Sequence, residues 1–453
     1  MRSVGARLYT SIPGDKLSGA IRAGWMDIVS ALYPDALVSH RTALEFRPSV
    51  DGDIWLTSST NRVVSYPGLR LRFVRGPGPR ADDPTVAGIR SSSRARAFLE
   101  NLATTHPSSR TRSIPLAELE QRLEQLLHLD GEPALNELRD RARQIADELG
   151  WRREFTRLDT LIGSLLGTRT AQLTSGVGRA RAAGEPFDAA CQARLQALFA
   201  ELHGRPLPRI VERFDAPAHV RNKAFFEAYF SNYIEGTTFE IEEAERIVFD
   251  QQIPARRPKD GHDIAATFHL VSDPVEMRAT PHDFDPLLQL LQTRHRTLMA
   301  ERPEAEPGAF KQPPNRAGDT HFVDPAYVRG TLRKGMELYL ALSPGLARAI
   351  FLMFLVTDVH PFVDGNGRIA RIMMNAELVS AGQPTIIIPT VYRDDYLLAL
   401  RALTRRHRPA PLIEALTRAQ RFSHLDFSSY PSILQELQRR NWFHEPDEAR
   451  RID

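Results

Sequence analysis

His360-Pro361-Phe362-Val363-Asp364-Gly365-Asn366-Gly367-Arg368-Ile369-Ala370-Arg371 sets a titratable base, a carboxylate, a two-glycine turn and two arginines between segments that read as helices. Gly365, Asn366 and Gly367 open a helical run over 366–381, so amides without intrahelical partners point at an anion and the helix dipole adds to the attraction. Glycine lets the main chain come close to phosphate oxygens. Arg368 and Arg371 stand three residues apart, neighbours on one helical face, where their guanidinium groups can hold polyphosphate by paired, charge-assisted bonds. Asp364, just before the turn, is placed to hold Mg²⁺ against those phosphates. His360, four residues earlier, titrates near neutrality and can take a proton from an attacking hydroxyl. A solvated helix–loop–helix would account for any one of these residues; together they read as a phosphate site with a base beside it.

The string carries the whole pattern His-x-Phe-x-Asp-Gly-Asn-Gly-Arg-x-x-Arg, and so resembles the signature loop of the Fic family of nucleotidyl (AMP) transferases. The resemblance extends over residues 205 to 425, about half the chain. Pro307-Gly308-Ala309-Phe310-Lys311 and Gly318-Asp319-Thr320-His321-Phe322 are similar to the substrate-positioning flap of that family. Tyr392-Arg393-Asp394-Asp395-Tyr396 resembles the segment that closes the nucleotide pocket, which assigns Tyr396 to nucleotide binding. Upstream, Ser231-Asn232-Tyr233-Ile234-Glu235-Gly236 stacks Ser231 and Glu235 one turn apart, and Gly236 suits a left-handed stop. It is similar to the inhibitory helix of Fic proteins, set at about 219–236, whose glutamate pairs with the second arginine of the loop, Arg371 in this chain.

The fold so implied is mainly α: an all-helical Fic fold with a β-hairpin flap, preceded by a small α/β N-terminal module and a helical segment. The implied activity is transfer of AMP from ATP to a Ser, Thr or Tyr hydroxyl of a target protein. In that scheme His360 is the base, Asp364 the Mg²⁺ ligand, and Gly365, Gly367 and the side chain of Asn366 stabilise the anionic centre. Arg368 and Arg371 then hold the β and γ phosphates, Gly318, Asp319, Thr320 and His321 form the flap, and Ser231, Glu235 and Gly236 the switch. Gly367 stands where the phosphotransferring Doc branch carries lysine, which favours AMP transfer over phosphate transfer. Ile369-Ala370 replaces the Thr-Gly or Thr-Ser of many relatives, and Thr404 replaces an asparagine found eight residues after the pocket tyrosine. Removal of AMP at the same site and a non-catalytic, nucleotide-sensing or DNA-binding regulator remain as alternatives, and the oligomeric state is open, a homodimer included.

The rest of the chain is consistent with a soluble protein of 453 residues and more than one domain: 42% apolar, 25% charged, formal net charge +3. One cysteine, Cys191, allows no internal disulfide, no run of eighteen apolar residues occurs, and the N-terminus lacks a basic-then-apolar pattern. These features predict a cytoplasmic protein without membrane contact. Three regions are expected, 1–112, 113–187 and 188–453.

In the first region, Leu17 to Leu32 and Ser39 to Phe46 read as helices, short strands follow around Ile54–Thr57, Arg62–Ser65 and Leu69–Val74, and Ser92 or Ser93 is placed to cap a helix through Leu102. Tyr33 to Leu44 resembles AbiEi-type antitoxins and transcription regulators, with Arg7-Leu8-Tyr9 similar to the tail of an incomplete winged helix. Between Arg62 and Arg112, ten arginines face Asp82, Asp83 and Glu100, an excess of seven positive charges that makes DNA a candidate partner of this module. Leucine spacing predicts helices over 116–129, 133–149 and 151–166, and 167–186 reads as a linker. Beyond it helices are expected at 188–203, 219–235, 240–251, 261–272, 283–300, 325–342, 344–358, 366–381, 393–405, 410–421 and 430–440, with Thr237-x-x-Glu240 as a capping box and 301–324 as a mobile hairpin. His262, His269, His295 and His321 lack metal-ligand spacing and read as structural; no Walker A loop, dinucleotide fingerprint or nucleophile elbow is present.

Overall fold

The computed structural model describes residues 2–5, 8–103, 111–169, 173–318 and 320–445. The chain divides into two compact units, Met1–Gly184 and Glu185–Asp453.

The first unit begins with a hairpin, β1 (Arg2–Gly5) and β2 (Leu8–Thr10); Arg7, assigned above to a wing, lies outside the described residues. Next come α1 (Gly14–Ala23), α2 (Trp25–Leu32), β3 (Leu37–Val38), α3 (His40–Glu45), β4 (Asp53–Ser58), β5 (Arg62–Tyr66), β6 (Leu69–Arg75), β7 (Thr85–Val86), β8 (Ile89–Ser91) and α4 (Arg94–Leu102). The run expected as one helix over 17–32 is two, because Gly24 interrupts it. Strands β3 to β8 form one mixed sheet in the order β5-β6-β4-β3-β8-β7, with parallel pairs β4–β6 and β3–β8. Ser93 sits at the N-cap of α4 but its side chain makes no capping bond, and Ser92 Oγ turns instead to the buried Glu100.

Part of the basic stretch is matched inside the fold. Arg70 and Arg72 both bind Asp53, Arg80 reaches Asp82 and Glu148, and Arg96 is fully buried between Asp83 and Glu100. Two carboxylates outside the window, Asp53 and Glu148, thus take up part of the excess. Helix α5 (Leu116–Leu149) joins the first two predicted helices across a kink at Gly131, φ 79°, just ahead of Pro133; α6 (Arg152–Leu165) follows. The expected linker contains a further helix, α7 (Gly176–Ala182), capped by Ser175 Oγ on the Gly178 amide and held by Glu120, which accepts from the amides of Thr174 and Ser175. A seven-residue helix with one large apolar anchor, Val177, leaves no periodicity to read.

The second unit is helical: α8 (Ala189–Gly204), α9 (Pro217–Ile234), α10 (Ile241–Phe249), α11 (Pro258–Ser272), α12 (Phe284–Leu298), then a hairpin of β9 (Arg316–Ala317) and β10 (Thr320–His321), and α13 (Val328–Leu340), α14 (Leu346–Val359), α15 (Asn366–Ser380), α16 (Arg393–Arg406), α17 (Ala410–Phe422) and α18 (Tyr430–Arg439). Helix α14 is apolar all round and buried from Ala349 to Val356, the mark of a helix at the centre of a bundle. It packs along α15, so the loop between them is pinned at both ends to the largest core of the molecule. The expected capping box does not form. Gly236 (φ 89°) ends α9, the Thr237 amide bonds back to Asn232 O, and α10 starts only at Ile241 with no side-chain cap. No described helix is long and apolar enough to cross a membrane.

Candidate active site

Helix α14 stops at His360, whose φ of 53° is left-handed and whose amide still bonds to Val356 O at 2.9 Å. The imidazole Nδ1 lies 3.2 Å from Thr357 O, which assigns the Nδ1–H tautomer and leaves Nε2 as the acceptor. Burial, with the Lys311 ammonium nearby, pushes its pKa down to about 4 against the opposing pull of Thr357 O, Glu235 and Asp364. The ring is therefore neutral at pH 7 and able to accept a proton. Phe322 stacks on it with centroids 3.6 Å apart.

Asn366 closes the loop that follows. Its Oδ1 accepts from the Phe362 amide at 2.9 Å and its Nδ2 donates to Phe362 O at 2.8 Å. Those bonds turn the buried Asn366 side chain toward the Phe362 backbone, and its main-chain N–H lies in the first turn of α15. His295, read as structural, braces the loop from α12. It donates from Nε2 to Asp364 O (3.0 Å), accepts the Gly308 amide at Nδ1 (2.9 Å), and stacks on Phe362 at 3.8 Å. Burial lowers its pKa to about 4, keeping that neutral tautomer.

Two glycines of the loop lie close under neighbouring side chains. Gly365 has φ 76°, and a Cβ there would lie 2.9 Å from Met299 Sδ. A Cβ on Gly367 would lie 2.2 Å from Glu235 Oε1. The Glu235 carboxylate thus sits directly over the first turn of α15, where the dipole and the unpaired amides favour an anion.

The same carboxylate accepts from Arg371 Nη2 at 2.7 Å, while Ser231 accepts Arg371 Nε at its Oγ (2.9 Å) and Nη2 at its carbonyl (2.8 Å). Tyr396, expected among the nucleotide contacts, is buried with its hydroxyl against this guanidinium and near Met353 Sδ; burial raises its pKa although Arg371 opposes the shift. Arg368 does not share the outlook of Arg371. Its Nη1 lies 2.6 Å from Asp263 Oδ2 on α11 and 3.3 Å from Asn232 Oδ1 on α9, and the side chain is buried. Three residues of helix turn the two arginines to different neighbours, Arg371 to Ser231 and Glu235, Arg368 to Asn232 and Asp263. Asp263, fully buried, also holds Arg302 (2.9 Å). Sequence reading passed over Asp263; the signal was a carboxylate on a face shared with Ile264, Thr267 and Leu270, which requires a buried cation.

Asp364 is exposed; one carboxylate oxygen accepts from the Gly365 amide at 2.6 Å, and no group of three candidate metal ligands occurs among the described residues. A single accessible carboxylate fits Mg²⁺ that keeps its waters and shares phosphate oxygens, and does not fit a stand-alone protein cage. In the flap, Gly318 takes φ 56°, Thr320 Oγ1 accepts from Arg405 at 3.3 Å and His321 is exposed; Asp319 lies outside the described residues.

The Fic/DOC family profile matches residues 284–378. The protein adenylyltransferase fic-1 of Caenorhabditis elegans is 27% identical over 195 residues, which cover 40% of this chain and 37% of that protein. A Fido domain-containing protein of Dictyostelium discoideum is 30% identical over 103 residues, 22% of this chain and 72% of its own. Among solved structures, Fic-1 (aa134–508) of C. elegans superposes with a TM-score of 0.40 at 18% identity, covering 71% of this chain and 94% of that one. The chain spans well under half the length of the adenylyltransferase it matches. With the loop, the flap and the family match all falling in the second unit, the chain belongs to the Fic/DOC family.

Proposed function

We propose that the protein transfers AMP from ATP to a hydroxyl side chain of a target protein, and that the end of α9 holds the site in a resting state. The observation that carries this reading is the Glu235 carboxylate, lying over Gly367 and bonded to Arg371, in the seat that a terminal phosphate would take.

In the working site the target hydroxyl gives its proton to His360 Nε2 and its oxygen attacks the α-phosphorus. The bond from that phosphorus to the β-bridging oxygen breaks, and pyrophosphate leaves. The first-turn amides of α15 hold the anionic oxygens, and Arg371, released from Glu235, holds the γ-phosphate so that the leaving group stands in line. Asp364 would hold Mg²⁺, which when bound offsets the phosphate charge. Arg368 acts at one remove, fixing α15 to α9 and α11 through Asn232 and Asp263. The strand pair of the flap offers main-chain groups to an extended target segment.

The test is label transfer from ATP carrying the label at the α or the γ position, in parallel, with Glu235→Gly and Glu235→Gly/His360→Ala proteins. Label on protein from the α position alone, lost in the double variant, is the expected result. Label from the γ position, or label that survives loss of His360, would overturn the proposal; release of AMP from a modified protein in place of transfer would assign the reverse reaction.

A further inference from the structure

The chain carries five lysines among 59 basic residues, and one of them, Lys311, is 2% exposed at the root of the flap. Lysine is seldom buried without an ion pair, because desolvating the ammonium is costly. Lys311 has no carboxylate bonded to it among the described residues; its Nζ donates to Asn315 Oδ1 at 2.7 Å. Asn315 in turn donates from Nδ2 to Phe362 O (2.9 Å), and the Lys311 amide donates to Pro361 O (2.9 Å). Phe322, which stacks on His360, donates its amide to Asn315 O at 3.3 Å. One short chain of bonds thus ties both arms of the flap to the two residues that follow the base.

We propose that Lys311 is a positioning residue of the transfer site: it clamps the flap to the loop that carries His360 and sets a positive charge against the imidazole. This rests on the transfer reading above. The charged groups facing His360 are Lys311 from the flap root, Glu235 from the end of α9 and Asp364 from its own loop, and Lys311 alone among them favours the neutral ring. Asp324 is the group that opposes the desolvation of Lys311, whose own pKa burial brings down to about 8. A compact ammonium at the end of a flexible stem suits both tasks, whereas the planar guanidinium that this chain uses nearly everywhere else asks for a wider pocket.

The experiment compares Lys311→Met, Lys311→Arg and Asn315→Leu, each in the Glu235→Gly background of the full chain, by the pH dependence of kcat/KM for transfer of α-label. Lys311→Met should lower the rate about tenfold and move the acid limb up by about one pH unit, since His360 without the cation takes up a proton more readily. Lys311→Arg should return the limb toward its original position, and Asn315→Leu should lower the rate with the limb in place. If Lys311→Met does not fold, Lys311→Gln, which keeps a donor for Asn315 and removes the charge, takes its place with the same expected limb shift. A rate loss with an unmoved acid limb, or no rate loss, overturns the inference. Absence of transfer by Glu235→Gly itself would instead sink the transfer reading on which it rests.

Discussion

Replacing Glu235 by glycine perturbs one bond whose surroundings are fully specified. The carboxylate, about a third exposed (32%), makes a 2.7 Å bond to Arg371, which is 7% exposed. A hydrogen bond to a charged group contributes about 1.5–3 kcal/mol, and partial solvation of Glu235 puts this pair at the lower end. That is the free energy a γ-phosphate must overcome to take Arg371 in the resting state, so its removal should raise AMP transfer roughly 10- to 100-fold. The variant should stay folded, because Ser231 Oγ and O still bind the guanidinium and residue 235 is the C-cap of α9, where glycine costs little. The assay is initial rate of α-label incorporation at saturating ATP, with thermal unfolding measured in parallel. Rates within twofold of each other for the wild-type chain and Glu235→Gly, with both proteins folded, would refute the claim that the carboxylate blocks the phosphate seat.

Gly367→Ala should disrupt the Glu235 contact without activating the enzyme, since its Cβ, 2.2 Å from Glu235 Oε1, would also stand in the anion seat; transfer above the wild-type rate would contradict this. Gly365→Ala combines a left-handed φ of 76° with a 2.9 Å clash on Met299 Sδ and should lower both the unfolding midpoint in urea and the transfer rate, by about 1–3 kcal/mol in stability. Asp263→Asn leaves Arg368 and Arg302 without their shared carboxylate and should destabilise the chain by about 3–5 kcal/mol, read from urea unfolding; a change below about 1 kcal/mol would mean the network is not under load. On pH, His295 and His360 have folded-state values near 4, below the ordinary 6.5, so the unfolded chain binds more protons between those limits. Stability should therefore be full above about pH 6.5 and fall as the pH drops toward 4, and His295→Gln should flatten that fall.

What the sequence disclosed and what it withheld divide along a physical line. Most helices of the second unit were legible because they bury one face over two or more turns, and the loop was legible because glycines, an imidazole and a carboxylate at fixed spacing have few structural uses together. The N-terminal run over 17–32 was misjoined because Gly24 interrupts a pattern that periodicity alone bridges, and α7 was missed because seven residues hold too little pattern. The site itself shows the sharper limit. Residue type states which bonds a side chain is able to make, while its neighbours decide which of them it makes. Asn366 has two side-chain donors and an acceptor, and the Phe362 backbone engages one N–H and the oxygen. Arg368 and Arg371 are the same residue on the same helix, and they diverge because α11 offers Arg368 a buried carboxylate, while α9 offers Arg371 a serine and a glutamate one turn apart. That difference bears on function: Arg368 is anchored by a fully buried aspartate that it shares with Arg302, whereas Arg371 is held by a glutamate about a third exposed, which can exchange for phosphate. The second arginine, and not the first, is thus the place where this site can be switched.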